Sequence, residues 1–171
     1  MNQSAYIEAI TSAIQSTSHP CAPDPYMYQP TSVMALFLFN AEPFLLFIQK
    51  ADREGYPWRN QMAFPGGHRD QKDTSSKATA LRELKEEMGI VSANVTVMGS
   101  LGHFQTLQHK DIQAFTGVWN QKDHIVFDTE EIAQVFTIPY AHLAKIHRQN
   151  GYAGRQPDVK ELTYPFQDIV I

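Results

Sequence analysis

Phe64-Pro65-Gly66-Gly67 and, further on, Arg82-Glu83-Leu84-Lys85-Glu86-Glu87-Met88-Gly89-Ile90 are the stretches that decide how this chain folds. The spacing predicts a helix over Ser75–Met88, with Gly89 just past its end where a left-handed cap belongs. Leu81, Leu84 and Met88 share a face that should meet a core. Glu83, Glu86 and Glu87 share another, read as roughly opposite. Three carboxylates so placed repel one another, each like-charge pair costing about 0.2–0.5 kcal/mol on a solvated helix. They also crowd the C-terminal half, the wrong end for the helix dipole. Arg82 and Lys85 relieve part of this. A hard divalent cation would relieve the rest, since Mg²⁺ takes oxygen ligands and bridges to phosphates. Taken alone, R-E-x-x-E-E is an ordinary solvated acidic face, and Gly66-Gly67 an ordinary turn. Placed after a short strand (Met62–Phe64), however, the two glycines permit close approach of backbone to another group.

Outward from this helix, elements of both kinds appear. Residues 3–17 carry apolar side chains at helical spacing. Ser18–Pro30 is proline-rich and reads as a wrapped loop. Thr31–Phe39 and Phe44–Gln49 are apolar strands joined by the turn Asn40–Pro43, which predicts a hairpin. Asp52–Asn60 and Gly67–Asp73 read as polar loops. Val95–Leu101, Ile112–Trp119 and Gln134–Ile138 read as strands, Ala141–His147 as a short helix, and Glu161–Ile171 as extended. Strands and helices alternate without repeats, so the class is mixed α/β in one domain. Residues 1–30 are read as a helix and wrap belonging to that domain, and 31–171 as its body.

Composition excludes several functions. The chain has 171 residues, 43% hydrophobic and 19% charged, enough for one sizeable core and unlike a disordered chain. A net charge of −4 gives no general affinity for polyanions, and no helix-turn-helix or basic arm suggests a nucleic-acid partner. The single cysteine, Cys21, precludes an internal disulfide. With no signal-like start and no apolar run long enough for a bilayer-spanning helix, the expectation is a cytoplasmic protein without a membrane partner.

Gly67, Asp73 and Arg82–Ile90 together resemble the Nudix box, G-x5-E-x7-R-E-U-x-E-E-x-G-U, where U is bulky and aliphatic. The second half is complete. In the first, Asp73 stands where a glutamate belongs, with one extra residue before Arg82. The resemblance implies an α/β/α sandwich with a mixed β-sheet, and an enzyme that hydrolyses a nucleoside diphosphate linked to another group, using Mg²⁺ or Mn²⁺. It makes Glu83, Glu86 and Glu87 metal-site carboxylates. Glu83, Glu86 and Arg82 become catalytic, with Arg82 orienting the cluster. Gly66 and Gly67 shape the loop before the helix. Asp73, at the helix start, is either a cap or a member of the site. The general base comes from the box or from a later loop, where Glu130 and Glu131 qualify, though as loop acids they are equally ordinary. His68, His103 and His109 lie in loops that could line a pocket. Relatives dimerise, which leaves a homodimer open.

The one-residue expansion and Phe-Pro-Gly-Gly-x-x-Asp-x-x-Asp (Asp70, Asp73) resemble the branch of the family that cleaves coenzyme A. Leu45–Ala51 and Gln61 match that branch's upstream signature in part, with Lys50 in place of an arginine, a substitution that loses bidentate contacts. Lys50 and Arg53 or Arg59 are candidates for phosphate contacts, and Trp58 or Tyr56 for stacking on a base. The expected reaction is hydrolysis of coenzyme A or an acyl derivative to a phosphopantetheine product and adenosine 3′,5′-bisphosphate. Two alternatives stand beside it: a Nudix pyrophosphatase acting on ADP-ribose, nucleotide sugars, dinucleotides or nucleoside triphosphates, and a non-catalytic nucleotide-binding Nudix module. The retained acids argue against the last.

Overall fold

The computed structural model describes residues 2–55, 58–154 and 162–171. The first helix, α1 (Gln3–Ser16), starts where the Asn2 side chain accepts the Ala5 N–H at 2.9 Å. β1 (Gln29–Asn40) and β2 (Glu42–Lys50) form the expected antiparallel hairpin. Its turn is tighter than the four residues read from sequence. Asn40 already pairs with Glu42, so Ala41 alone reverses the chain, at φ 67°.

The hairpin then splits. β1 and β2 pair only from Leu36↔Leu46 to Asn40↔Glu42. Beyond that they diverge, and their freed backbone groups need other partners. β3 (Met62–Ala63) pairs with β2 at Ile48 and Gln49. β4 (Gly66–His68) pairs with β1 at Thr31–Val33. The reading of Gly67–Asp73 as loop is therefore corrected at its start: Gly66–His68 is a strand because β1 supplies the ladder that its own residues do not announce. β6 (Lys110–Trp119) runs parallel to β1, and β5 (Val95–Gln105) lies antiparallel outside β6. β7 (Ile132–Pro139) covers the other edge of β2. The sheet is mixed, as expected.

Helices bury both faces of this sheet. On one side Met34, Leu36, Leu46 and Ile48 meet Ala80, Leu84 and Met88 of α2 (Ser76–Met88). On the other, Ala35, Phe37, Leu45 and Phe47 meet Ile7 and Ile10 of α1 and Leu143 of α3 (Tyr140–Gln149). A small hairpin of β8 (Pro165–Phe166) and β9 (Ile169–Val170) adds Phe166 and Ile169 to that layer. Burial on both faces explains why β1 reads as a continuous apolar run rather than an alternation. The architecture is an α/β/α sandwich. No helix among the described residues is long and apolar enough to cross a membrane.

Candidate functional site

The split in the hairpin makes the site. Where β1 and β2 diverge, a cavity of about 540 Å³ opens between β3 and β4, with one side of α2 against it. Ser75 caps α2 by accepting the Ala78 N–H at 3.1 Å, and Gly89 closes it at φ 72°.

The exposure of the three acids follows the helical wheel. At 3.6 residues per turn, Glu87, Glu83 and Glu86 lie about 60°, 100° and 160° from Leu84. Leu84 is fully buried, and the three side chains are 6%, 15% and 58% exposed in that order. Glu87 is thus no part of a solvated face opposite the core, which corrects the reading from spacing. Its Oε1 pairs with Lys50 Nζ at 2.5 Å, and its Oε2 accepts the Gly66 N–H at 2.8 Å. Charge-assisted bonds of this kind let a carboxylate be buried. They also engage Lys50.

Arg82 ties the other acids together. Its Nη1 lies 2.8 Å from Glu83 Oε1 and 2.7 Å from Glu86 Oε2. Its Nη2 donates to Asp73 Oδ2 at 3.0 Å and to the His68 carbonyl at 2.9 Å. Asp73 is not the helix cap, which is Ser75; it joins the acidic network through Arg82. It accepts further bonds from the Thr79 hydroxyl and the Asp70 N–H, both at 2.9 Å. The Arg82 bonds, opposed by burial and helped by those two donors, hold the Asp73 carboxyl down to about 2. Asp73 in turn is the main reason that Arg82 holds its proton more tightly than an ordinary arginine. Glu83 moves the other way. Burial raises it, Arg82 opposes, and repulsion from Glu87 and Glu86 adds to the rise.

Gly67 completes the geometry. A Cβ there would fall 2.5 Å from Glu83 Cδ, so the Glu83 carboxyl rests in space that only glycine leaves free. At Gly66, with φ +154°, a Cβ would fall 2.2 Å from the Ser32 carbonyl. The first glycine seats β4 on β1 and the second seats the acid.

Four carboxylates (Asp73, Glu83, Glu86, Glu87) share this network with two cations, Arg82 and Lys50. Two negative charges are left unmatched within it. Among the described residues no three metal-ligating side chains are already arrayed as a shell. Arg82 Nη1 stands between Glu83 and Glu86, and Lys50 holds Glu87. The donor chemistry nevertheless fits a hard divalent cation: all-oxygen ligands, an excess of two negative charges, and the cradle at Gly67.

Of the residues read from sequence, Lys50, Trp58, Gly66, Gly67, Glu83 and Glu87 line the cavity. Glu130 and Glu131 do so at its rim, with Arg53 facing Glu130 at 3.6 Å. Arg82 and Glu86 are not among the lining residues; Arg82 contacts the lining Glu83 and holds Glu86. Arg59 is not among the lining residues and lies 3.5 Å from Asp52. Tyr56, named with Trp58 for stacking, lies outside the described residues. His68 lines the cavity, whereas His103 pairs with Asp111 and the His109 ring lies tilted against Tyr28. The sequence reading missed Thr31 and Lys110, which also line the cavity. Neither carries a local signal, because strand pairing brings them there.

Known proteins resemble this chain in sequence and in fold. The NUDIX domain family matches residues 28–161. A Nudix hydrolase NudL of Yersinia enterocolitica, itself uncharacterised, is 32% identical over 119 residues, 68% of this chain and 60% of that protein. NudL of Yersinia pestis is 31% identical over 133 residues, 78% of this chain and 66% of that protein. The chain therefore spans somewhat less than two thirds of the length of these relatives. Among solved structures, a C. elegans Ap4A hydrolase superposes with a TM-score of 0.55 at 17% identity, covering 71% of this chain and 96% of that one. The Nudix domain of Shewanella oneidensis NrtR, solved with ADP ribose, gives 0.55 at 17% identity, covering 85% and 88%. At that identity the likeness concerns fold alone. The family match, spanning most of the chain and including the acidic helix and its glycine pair, shows that this chain belongs to the Nudix family.

Proposed function

We propose that this chain is a metal-dependent hydrolase that cleaves the diphosphate bond of coenzyme A or an acyl derivative, giving a phosphopantetheine product and adenosine 3′,5′-bisphosphate. The observation that carries the hydrolase reading is the acidic network with two unmatched negative charges, whose member Glu83 reaches the cavity over Gly67. The coenzyme A reading rests on the Phe64–Gly67, Asp70 and Asp73 run.

Glu83, Glu86 and Glu87 would hold Mg²⁺ or Mn²⁺. Such an ion, when bound, supplies charge neutralisation at the phosphoryl oxygens and a more acidic water. The remaining work belongs to the chain. Arg82, anchored by Asp73 and the His68 carbonyl, fixes the rotamers of Glu83 and Glu86. Trp58, which lines the same cavity, offers a flat apolar surface for the adenine. Glu130 or Glu131, at the rim, takes the proton of the attacking water if no box carboxylate does. Water oxygen bonds to phosphorus, the bridging P–O bond breaks, and the leaving phosphate takes the electron pair. Residues 1–30 belong to the same domain in this reading, supported by Ile7 and Ile10 in the second core layer.

The test incubates the protein with coenzyme A, ADP-ribose, a nucleotide sugar and a nucleoside triphosphate, with Mg²⁺ or Mn²⁺, and identifies products. Turnover of ADP-ribose or the nucleotide sugar with none of coenzyme A would sink the substrate assignment. Glu87→Gln with full metal-dependent turnover would sink the metal assignment. Nucleotide binding without turnover of anything would favour the non-catalytic module.

A further inference from the structure

A second group of polar side chains lines the same cavity away from the acids. In the sheet register Gln29 pairs with Lys110, Thr31 with Ile112 on one side, and Thr31 with His68 on the other. Directly paired residues, and those two apart, stand on one face of a sheet. Gln29, Thr31, His68 and Lys110 are therefore neighbours on one face. Gly67, against which Glu83 rests, pairs with Ser32 and belongs to the other face.

Lys110 differs from the other cations at the cavity. Lys50 is matched by Glu87, and Arg53 faces Glu130. Lys110 Nζ meets only neutral partners, the Gln29 side-chain carbonyl and His68 Nε2, the latter at 2.6 Å. Among the described residues no carboxylate lies within ion-pair reach of it. Burial first, then the neighbouring Lys110, lower the His68 pKa, so the ring accepts as a neutral imidazole. Beside them sits Thr31 Oγ1, fully buried and without a hydrogen-bond partner, although buried hydroxyls almost always have one. Thr31 and Lys110 both line the cavity, so an unmatched ammonium and a lining residue's unused hydroxyl stand side by side, the two donors a phosphate oxygen needs.

We propose that Lys110, Thr31 and His68 form a subsite for a phosphomonoester of the substrate, separate from the diphosphate that is cleaved over α2. This inference rests on the diphosphate-hydrolase reading for the remainder of the ligand. It makes the enzyme selective for nucleotides that carry a phosphate on the ribose as well as in the diphosphate bridge. An incoming phosphate takes Lys110 from Gln29 and His68 and gives Thr31 Oγ1 its missing acceptor.

The test is calorimetric and needs neither metal nor turnover. AMP, ADP and adenosine 3′,5′-bisphosphate are titrated into the full chain. The added ribose phosphate tightens binding about tenfold to a hundredfold over AMP, the range expected for hydrogen bonds to a charged group. ADP, which carries its second phosphate in the chain instead, gains less. In Lys110→Gln the ratio of the AMP to the bisphosphate dissociation constant collapses towards one, and Lys110→Arg restores most of it. Thr31→Val, which keeps the shape and removes the hydroxyl, lowers the same ratio and serves if Lys110→Gln does not fold. A wild-type ratio near one overturns the subsite, as do equal gains from ADP and the bisphosphate, or a ratio unchanged by these substitutions. Discrimination without hydrolysis of any diphosphate leaves the subsite standing and refutes the activity. Hydrolysis without discrimination does the reverse.

Discussion

Gly67→Ala separates the catalytic geometry from the fold. An ideal Cβ at position 67 lies 2.5 Å from Glu83 Cδ and 2.6 and 2.7 Å from its two oxygens. Ordinary contact begins at 3.4 Å, so the carboxyl must retreat by about 0.9 Å. It can do so, since it is the free end of a flexible side chain. Gly67 itself is outside the left-handed region, so alanine costs its backbone little. A misplacement of about 1 Å at a catalytic group costs on the order of a hundredfold in rate. The expected result is kcat down about a hundredfold at saturating metal, with a thermal midpoint within a few degrees of wild type. Gly66→Ala is the contrast. There the Cβ meets the Ser32 carbonyl at 2.2 Å and the Val33 Cα at 2.6 Å, both backbone, and φ is +154°. Strain and overpacking together should cost on the order of 3 kcal/mol, seen as a lower midpoint and less folded protein. The assays are hydrolysis of whichever diphosphate turns over and thermal melts of both variants. Gly67→Ala with wild-type kcat would refute the placement of Glu83 in catalysis. A loss of activity merely proportional to lost folded protein would do the same.

Other perturbations bear on the same network. Lys50→Met strands Glu87 in a buried position and should destabilise the fold by about 3–5 kcal/mol, whereas Lys50→Met with Glu87→Leu should recover most of it in denaturant melts. Asp73 contributes stability above its unfolded value near 3.8, and this is lost as pH falls from about 4 towards 2, because its folded pKa is depressed. The contribution is roughly 1–2 kcal/mol after allowing for screening, and acid melts of Asp73→Asn should show a shallower loss over that window than wild type. Trp58→Ala should raise KM for an adenine-bearing substrate by about fivefold to a hundredfold with kcat little changed, as expected for a lost stacking surface. Equal KM in the two proteins would remove Trp58 from the site.

The parts of the site that were legible in the sequence are those set by local spacing. Ser75, Gly89 and the Leu81–Leu84–Met88 face fix α2, and its second half carries the family pattern. The wheel also contained the burial of Glu87, since about 60° from Leu84 is a core-flanking angle, but grouping it with Glu83 and Glu86 hid that. What could not be read locally depends on pairing at long range. Lys50 and Glu87 are 37 residues apart, and Lys110 and His68 are 42 apart. β4 has almost no side chains to announce a strand, and exists because β1 outruns β2.

Asp73 shows how a departure from pattern becomes intelligible once the helix has a length. Arg82 lies seven residues beyond the cap Ser75, roughly 10 Å along the axis at 1.5 Å per residue. Helical side chains lean towards the N-terminus, and an extended arginine covers much of that distance. An acid two residues ahead of the cap is therefore where the guanidinium arrives, and the geometry bears this out at 3.0 Å. A short carboxylate suits the position because Thr79 and the Asp70 N–H hold it from the other side. The aspartate and the extra residue thus act together: they place the first acid of the box as the anchor of Arg82, and that arginine holds Glu83 and Glu86 at 2.8 and 2.7 Å.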